Sequence, residues 1–271
     1  MKPARFDYVR PDDLPAALAL LREAGDDARP VAGCQSLGPM LNLRLAQPAL
    51  LVDIRALGEL RQVDVNGDAA RIGACIRHAE IEDAVVADVT GGLLPAVAAD
   101  IAYRAVRNAG TLGGSLAHAD PSADWVTVML VLGAGVIIAS GTGEREVPAD
   151  EFFLGPFATA LQPGELVAAV RVPRLSAAAR WGYWKFCRKP GEFAEAIGAV
   201  VVDPELGLSR AVIGGLGGAP RVVGTAEDFP ADAPESAWRA AASLAGCDDE
   251  YEIGVHATAL RRAARSMRAA S

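Results

Sequence analysis

The sequence predicts an α+β protein with a small α/β start, a hairpin-rich middle and an antiparallel sheet covered by helices. Three observations carry this expectation. Residues 14–24 form an apolar-periodic run with Asp12 and Asp13 ahead of it and Gly25 behind it, the start and stop signals of a helix between short apolar stretches. Asn66-Gly67 joins two runs that read as strands, which is a strong hairpin signal. Between residues 180 and 214, three alternating or apolar runs follow one another, and two helical patterns come after them.

Taken in order, Phe6 to Val9 reads as a short strand and Leu14 to Ala24 as the capped helix. Pro30-Val31-Ala32 leads into a loop, Met40 to Leu45 is a brief helix or turn, and Leu50 to Ile54 is a buried strand. Arg61 to Val65 and Ala70 to Ala74 make the hairpin around Asn66-Gly67-Asp68. Arg77 to Ile81 opens a helix, Pro95 to Ala102 has the spacing of another, and Trp125 to Leu132 is an apolar helix that Ser122 can cap. Gly135 to Ser140 and Glu144 to Val147 form a second hairpin, and Leu166 to Val172 is a further strand. The Ala-rich stretch Pro173 to Ala179 is the best boundary, so the expected units are 1–58, 59–175 and 176–271. The last unit holds strands Arg180 to Arg188, Ala196 to Asp203 and Leu208 to Gly214, then helices Glu235 to Leu244 and Tyr251 to Ala269. Arg261, Arg265 and Arg268 share one face of the final helix, as a solvated end that suits the helix dipole or as a docking surface for an acidic partner.

Composition limits the function. The chain has 271 residues, 51% of them hydrophobic, enough for a sizeable core, and no run is long enough to span a bilayer. A net charge of −8 without a basic, aromatic-interleaved patch argues against nucleic acid. The amino terminus lacks a signal core and the four cysteines are scattered, so cytoplasm is the expected compartment. His78, His118 and His256 are isolated and no Cys-x-x-Cys occurs, so no metal centre is expected on this chain. There is no nucleophile elbow either. Redox chemistry here would belong to a bound cofactor.

Two loops carry the ligand expectation. Thr111-Leu112-Gly113-Gly114-Ser115 removes two consecutive Cβ atoms between hydroxyls, a pattern that lets backbone amides curl around an anionic oxygen as a nest. The same residues also read as a plain Gly-rich turn before a helix. Ala32-Gly33-Cys34-Gln35-Ser36 is a second small-residue loop. Together they can close on one pyrophosphate, although neither fits the Rossmann or P-loop pattern. Asp124, in the first turn of the apolar helix, suits ribose or ribityl hydroxyls better than a phosphate. Cys34 is strained by about 1 kcal/mol if its φ is positive, and packs as an ordinary small side chain if it is negative.

The motifs Ala32-Gly33-x-Gln35-Ser36, Arg107-Asn108-x-Gly110-Thr111-Leu112-Gly113-Gly114-Ser115 and Ala119-Asp120-Pro121-x-x-Asp124 resemble the FAD-binding medium subunit of molybdenum hydroxylases. That is the family of the carbon monoxide dehydrogenase medium subunit and the xanthine dehydrogenase FAD domain. The resemblance continues through Gln162-Pro163-Gly164-Glu165, Tyr183-Trp184-Lys185-Phe186 and Arg188 to Ala194, and so covers almost the whole chain. Cys34 stands where the family usually has glycine, and Glu192 where it usually has aspartate.

The resemblance implies a two-subdomain, PCMH-type (vanillyl-alcohol-oxidase-like) FAD-binding domain followed by a three-stranded antiparallel sheet with helices. It implies that Ala32, Gly33, Cys34, Gln35 and Ser36 bind the FAD pyrophosphate with Thr111, Leu112, Gly113, Gly114 and Ser115, while Asp124 accepts from the ribityl chain. Lys185 would put a cation near the flavin, and Tyr183 would cover the ring. Ile101 and Val167 would join the contacts, although Ile101 by itself reads first as core; His118 reads as a satisfied loop histidine. The implied partners are a large molybdopterin-binding subunit, a small subunit with 2Fe-2S clusters, and a small-molecule acceptor such as NAD, a quinone or oxygen. Two alternatives accompany this reading: a flavin-poor structural or assembly subunit, in which Cys34 has weakened binding, and a self-sufficient FAD oxidoreductase.

Overall fold

The computed structural model describes residues 2–270. Its first unit is a parallel sheet of β1 (Asp7–Val9), β2 (Ala28–Val31) and β3 (Leu50–Asp53), in the order β1–β3–β2. Helix α1 (Leu14–Ala24) returns the chain from β1 to β2, and α2 (Leu37–Asn42) lies between β2 and β3. Local chemistry sets α1. Asp13, in extended backbone, accepts the Ala16 amide, Pro15 sits in the first turn, and Gly25 ends the helix at φ 54°.

In the second unit the predicted hairpin forms from β4 (Val63–Asn66) and β5 (Ala69–Gly73). Five helices follow: α3 (His78–Glu82), α4 (Leu93–Asp100), α5 (Arg104–Arg107), α6 (Leu112–His118) and α7 (Asp124–Leu132). The chain then makes the hairpin β6 (Gly135–Ser140) and β7 (Gly143–Pro148), the short α8 (Ala149–Phe152), the small pair β8 (Phe153–Gly155) and β9 (Ala158–Thr159), and β10 (Leu166–Pro173). The order β4–β5–β10–β6–β7 is antiparallel throughout and places β10 at the centre.

The third unit contains the three expected strands, β11 (Arg180–Phe186), β12 (Ala196–Asp203) and β13 (Leu208–Gly214). Two edge strands enlarge it to five: β14 (Arg221–Gly224) beside β13, and β15 (Arg268–Ala269) beside β11. Helices α9 (Glu235–Leu244) and α10 (Glu250–Arg265) complete it, and Asp249 caps α10 through the Glu252 amide. The expected helix to Ala269 therefore stops at Arg265. Residues 268–269 pair with β11, and Arg268 lies over the Trp181 ring, 4.3 Å from its centroid, off the helical face that Arg261 and Arg265 share. Arg261 bonds to Glu235, and Arg265 donates to the Ala231 carbonyl, so these two arginines tie α10 to the segment around α9.

Helix α7 joins the second and third units. All nine of its residues are buried, as expected of a helix that is apolar on every side. One continuous core runs from Val136, Ile138 and Val170 of the second sheet to Trp181, Val201 and Val212 of the third. Ser122 is not the cap of α7. Asp120 accepts the Ser122 amide at 2.9 Å, and Ala123 occupies the cap position without a side-chain bond. No helix among the described residues is long and apolar enough to cross a membrane.

Two contacts seat the helices of the second unit and can be tested. A Cβ on Gly113 would lie 2.3 Å from Ala74 Cβ and 2.7 Å from its Cα, so α6 rests directly on the backbone that follows β5. Gly113→Ala is expected to cost about 1–3 kcal/mol in urea unfolding, because a backbone neighbour cannot rotate away. His78, buried at the start of α3, accepts the Trp125 indole N–H on Nδ1 at 3.0 Å, and burial, with Arg107 adding to it, holds its pKa down at about 4. The unfolded chain takes up this proton near pH 6.5 and the folded one does not. Stability is therefore whole above pH 6.5 and falls as the pH drops towards 4, by about 3 kcal/mol in total. His78→Gln is expected to flatten that part of the stability–pH curve.

Candidate functional site

The two small-residue loops meet. An added Cβ on Gly33 would sit 2.4 Å from the Ala109 carbonyl oxygen and 2.6 Å from Gly110 Cα, so the backbone of the first loop lies on the turn that leads into α6. Ser36 and Ser115 then face one cavity of about 800 Å³, towards the upper end of the roughly 300–1,000 Å³ typical of small-molecule sites. It runs from Leu21 and Gly25 of the first unit, past both loops, to Glu192 and Phe193 of the third.

The two loops differ in what they offer an anion. Gly113 and Gly114 form no nest. They lie in the first turn of α6, which Thr111 caps by accepting the Gly114 amide at 3.2 Å. The Leu112 and Gly113 amides are already given to Ile76 and Ala74, and that of Ser115 to Thr111. These glycines allow close packing, and neither has positive φ. The first loop is open by contrast. Among the described residues, no backbone amide from Gly33 to Leu37 donates to a protein acceptor, and the hydroxyls of Ser36 and Ser115 have no protein partner. A row of unpaired amides next to a cavity is a seat for an anionic oxygen.

Cys34 sits in that open row at φ 58°, the left-handed region, which selects the strained alternative. Burial pushes its thiol pKa up, with the Arg55 charge opposing.

Asp124 stands at the first position of α7, with its backbone and side chain buried. Its Oδ1 receives the Tyr183 hydroxyl at 2.5 Å and the Lys185 ammonium at 2.9 Å. Lys185 also donates to the Asp100 carbonyl at 2.5 Å and lies 3.6 Å from Asp100 Oδ2. Burial raises the Asp124 carboxyl, and Lys185 and Tyr183 pull it back. Tyr183 is driven well above its ordinary value, first by burial and then by Asp124.

Of the expected site residues, Ala32, Gly33, Cys34, Gln35, Ser36, Ile101, Thr111, Gly113, Gly114, Ser115, Asp124 and Val167 line the cavity. Leu112, the first residue of α6, is fully buried and does not line the cavity. Tyr183 and Lys185 stand behind Asp124 and not over the cavity, and Tyr183 faces a separate small cleft shared with Asp100 and Arg268. Sequence reasoning missed Arg29, Tyr103, Gln162 and Phe193, all of which line the cavity. The Pro163-Gly164 turn was the available signal for Gln162, and nothing local marks Arg29. His118 also lines the cavity and packs on Phe157, with ring centroids 5.1 Å apart.

Open amides, two free hydroxyls, a buried carboxylate and apolar walls from Leu21, Ile54, Ile101 and Val167 fit an elongated ligand with an anionic middle, a polyol and a flat end. The comparisons with known proteins agree. The family described as the FAD binding domain in molybdopterin dehydrogenase matches residues 4–175. The 6-hydroxypseudooxynicotine dehydrogenase complex subunit alpha of Paenarthrobacter nicotinovorans is 41% identical over 220 residues, 80% of this chain and 74% of that one. The carbon monoxide dehydrogenase medium chain of Hydrogenophaga pseudoflava is 39% identical over 202 residues, 74% and 70% of the two chains. Among solved structures, a chain of Hydrogenophaga pseudoflava carbon monoxide dehydrogenase superposes with a TM-score of 0.88 at 34% identity, over 97% of both chains. A chain of quinoline 2-oxidoreductase from Pseudomonas putida 86 gives 0.85 at 32%, again over 97% of each. Cavity, fold and relatives converge, and the chain belongs to the family of FAD-binding medium subunits of molybdenum hydroxylases.

Proposed function

We propose that this chain holds FAD in the cavity between its three units and serves as the electron-transfer subunit of a heterotrimeric molybdenum hydroxylase. The observation that carries the reading is the open amide row at residues 33–37 facing Ser115 across one cavity. When bound, FAD supplies a carrier that exchanges electrons singly or in pairs. In this reading, the first loop and the Ser36 and Ser115 hydroxyls hold the diphosphate, and Asp124 accepts from the ribityl hydroxyls. Ile101 and Val167 give the flat ring an apolar wall. Substrate oxidation belongs to a large molybdopterin-binding subunit. Electrons arrive through 2Fe-2S clusters on a small subunit and leave to NAD, a quinone or oxygen. No group of three or more histidine, cysteine or acidic side chains among the described residues is arranged to hold a metal. In this reading the molybdenum and iron–sulfur groups belong to the partners. The relatives named as subunits of dehydrogenase complexes support that division of labour.

The chain purified alone and together with the products of its chromosomal neighbours is expected to release FAD on denaturation, approaching one per chain in the complex. Colourless preparations in both cases would overturn the reading. The left-handed backbone at Cys34 gives the flavin-poor alternative its one specific support. Cys34→Gly is expected to raise stability by about 1 kcal/mol as the strain is relieved. A large rise in flavin per chain in the same variant would favour that alternative, and an unchanged ratio would count against it.

A further inference from the structure

The C-terminal sheet makes several polar contacts with the FAD-binding unit, among them Arg210 with Asp150 and the Trp181 indole with the Gly91 carbonyl, and one of them ends on a residue of the cavity wall. Tyr183 and Lys185 alternate on one face of β11, and both end on Oδ1 of Asp124. The Lys185 side chain is only 6% exposed and that of Asp124 10%, so the pair is shielded from water. The Asp100 carbonyl takes a second ammonium proton, which fixes Lys185 from the side of α4. Asp124 Oδ2 receives no protein donor among the described residues, and Asp124 lines the cavity while Tyr183 and Lys185 do not. One carboxylate oxygen is thus tied to the third unit, and the other is left for whatever fills the cavity.

We propose that Tyr183 and Lys185 are positioning residues of the FAD site, which reach across from the C-terminal sheet to orient and neutralise Asp124 so that Oδ2 is presented to the ligand. The C-terminal unit then completes a cofactor site that the matched FAD-binding region, residues 4–175, does not contain by itself. This inference rests on the FAD reading for its ligand, but the ion pair stands on its own geometry. A carboxylate buried beside its counter-ion loses more when the cation is removed than when both charges are removed together. The other charged or titratable groups that face the pair are Asp100, whose charge opposes ionisation of both Asp124 and Tyr183, and Cys187, which acts on Tyr183. Arg268 lines the small cleft on the far side of Tyr183.

The test uses the full chain and the variants Lys185→Met, Lys185→Arg, Asp124→Asn and the Lys185→Met/Asp124→Asn double. Urea unfolding without flavin, from pH 5 to 8, reads the ion pair. With its cation removed, Asp124 has a folded pKa further above the unfolded one, and its stability is lost as pH rises. Lys185→Met is therefore expected to trail the wild type most at pH 8 and to close the gap towards pH 5. Lys185→Arg should follow the wild type, and the double variant should show no such slope. FAD titration followed by flavin fluorescence then reads the site. Lys185→Met and Asp124→Asn should each weaken binding at least tenfold, the double variant no more than Asp124→Asn alone, and Lys185→Arg less than threefold. If Lys185→Met does not fold at pH 8, recovery at pH 5 or in the double variant gives the same support, and failure under both conditions overturns the proposal. A pH-independent deficit, or FAD losses that multiply in the double variant, overturns it as well. A wild-type chain that binds no FAD would remove the cofactor reading alone, because the unfolding slopes still decide the ion pair.

Discussion

The architecture depends on a backbone-to-backbone contact that only a residue without a side chain permits. Gly33 lies against Ala109 and Gly110 so closely that any Cβ would overlap the main chain. This contact brings the loop after β2 alongside the turn before α6, although some eighty residues separate them, and the cavity lies beside the junction. Protein interiors yield little to added volume. The position of one loop therefore fixes that of the other, although the two belong to different sheets.

Within that frame the donors are divided unevenly. The amides of α6 are consumed in holding the helix on Ala74 and Ile76, which gives a rigid floor with little left to offer an anion. The first loop is short and carries its amides unpaired, with a cysteine at φ 58° in their midst. Strain and unmet donors coincide in a segment that faces the cavity, the association expected where structure is spent on binding. The buried carboxylate of Asp124 adds a second costly group, offset by a lysine and a tyrosine from another sheet.

Much of this was legible in the sequence, because local signals and fold agreed. Asp13 and Gly25 delimit α1 as their chemistry requires, the Asn66-Gly67 turn sets the hairpin, and β11 to β13 follow their apolar runs. The edge strands were not legible: β15 has two residues and β14 four, too short for a period-2 pattern, and Arg268 continues the composition of the helix before it. Gly113-Gly114 was misread because a glycine pair signals either a left-handed backbone or tight packing, and only the neighbour, Ala74, tells which. The shared face of Tyr183 and Lys185 was legible, but what that face meets was not, since Asp124 lies some sixty residues away on another element.

Helix α7 has no solvent side. One flank belongs to the sheet around β10 and the other to β12 and β13, so the family-matched region ends in sequence well before its core ends in space. For protein engineering this means that exchanging modules between related subunits at the chain segment around residue 175 transplants half of an interface. A working chimera has to bring the residues of β12 and β13 that clasp α7 along with the helix itself, or supply a matching set.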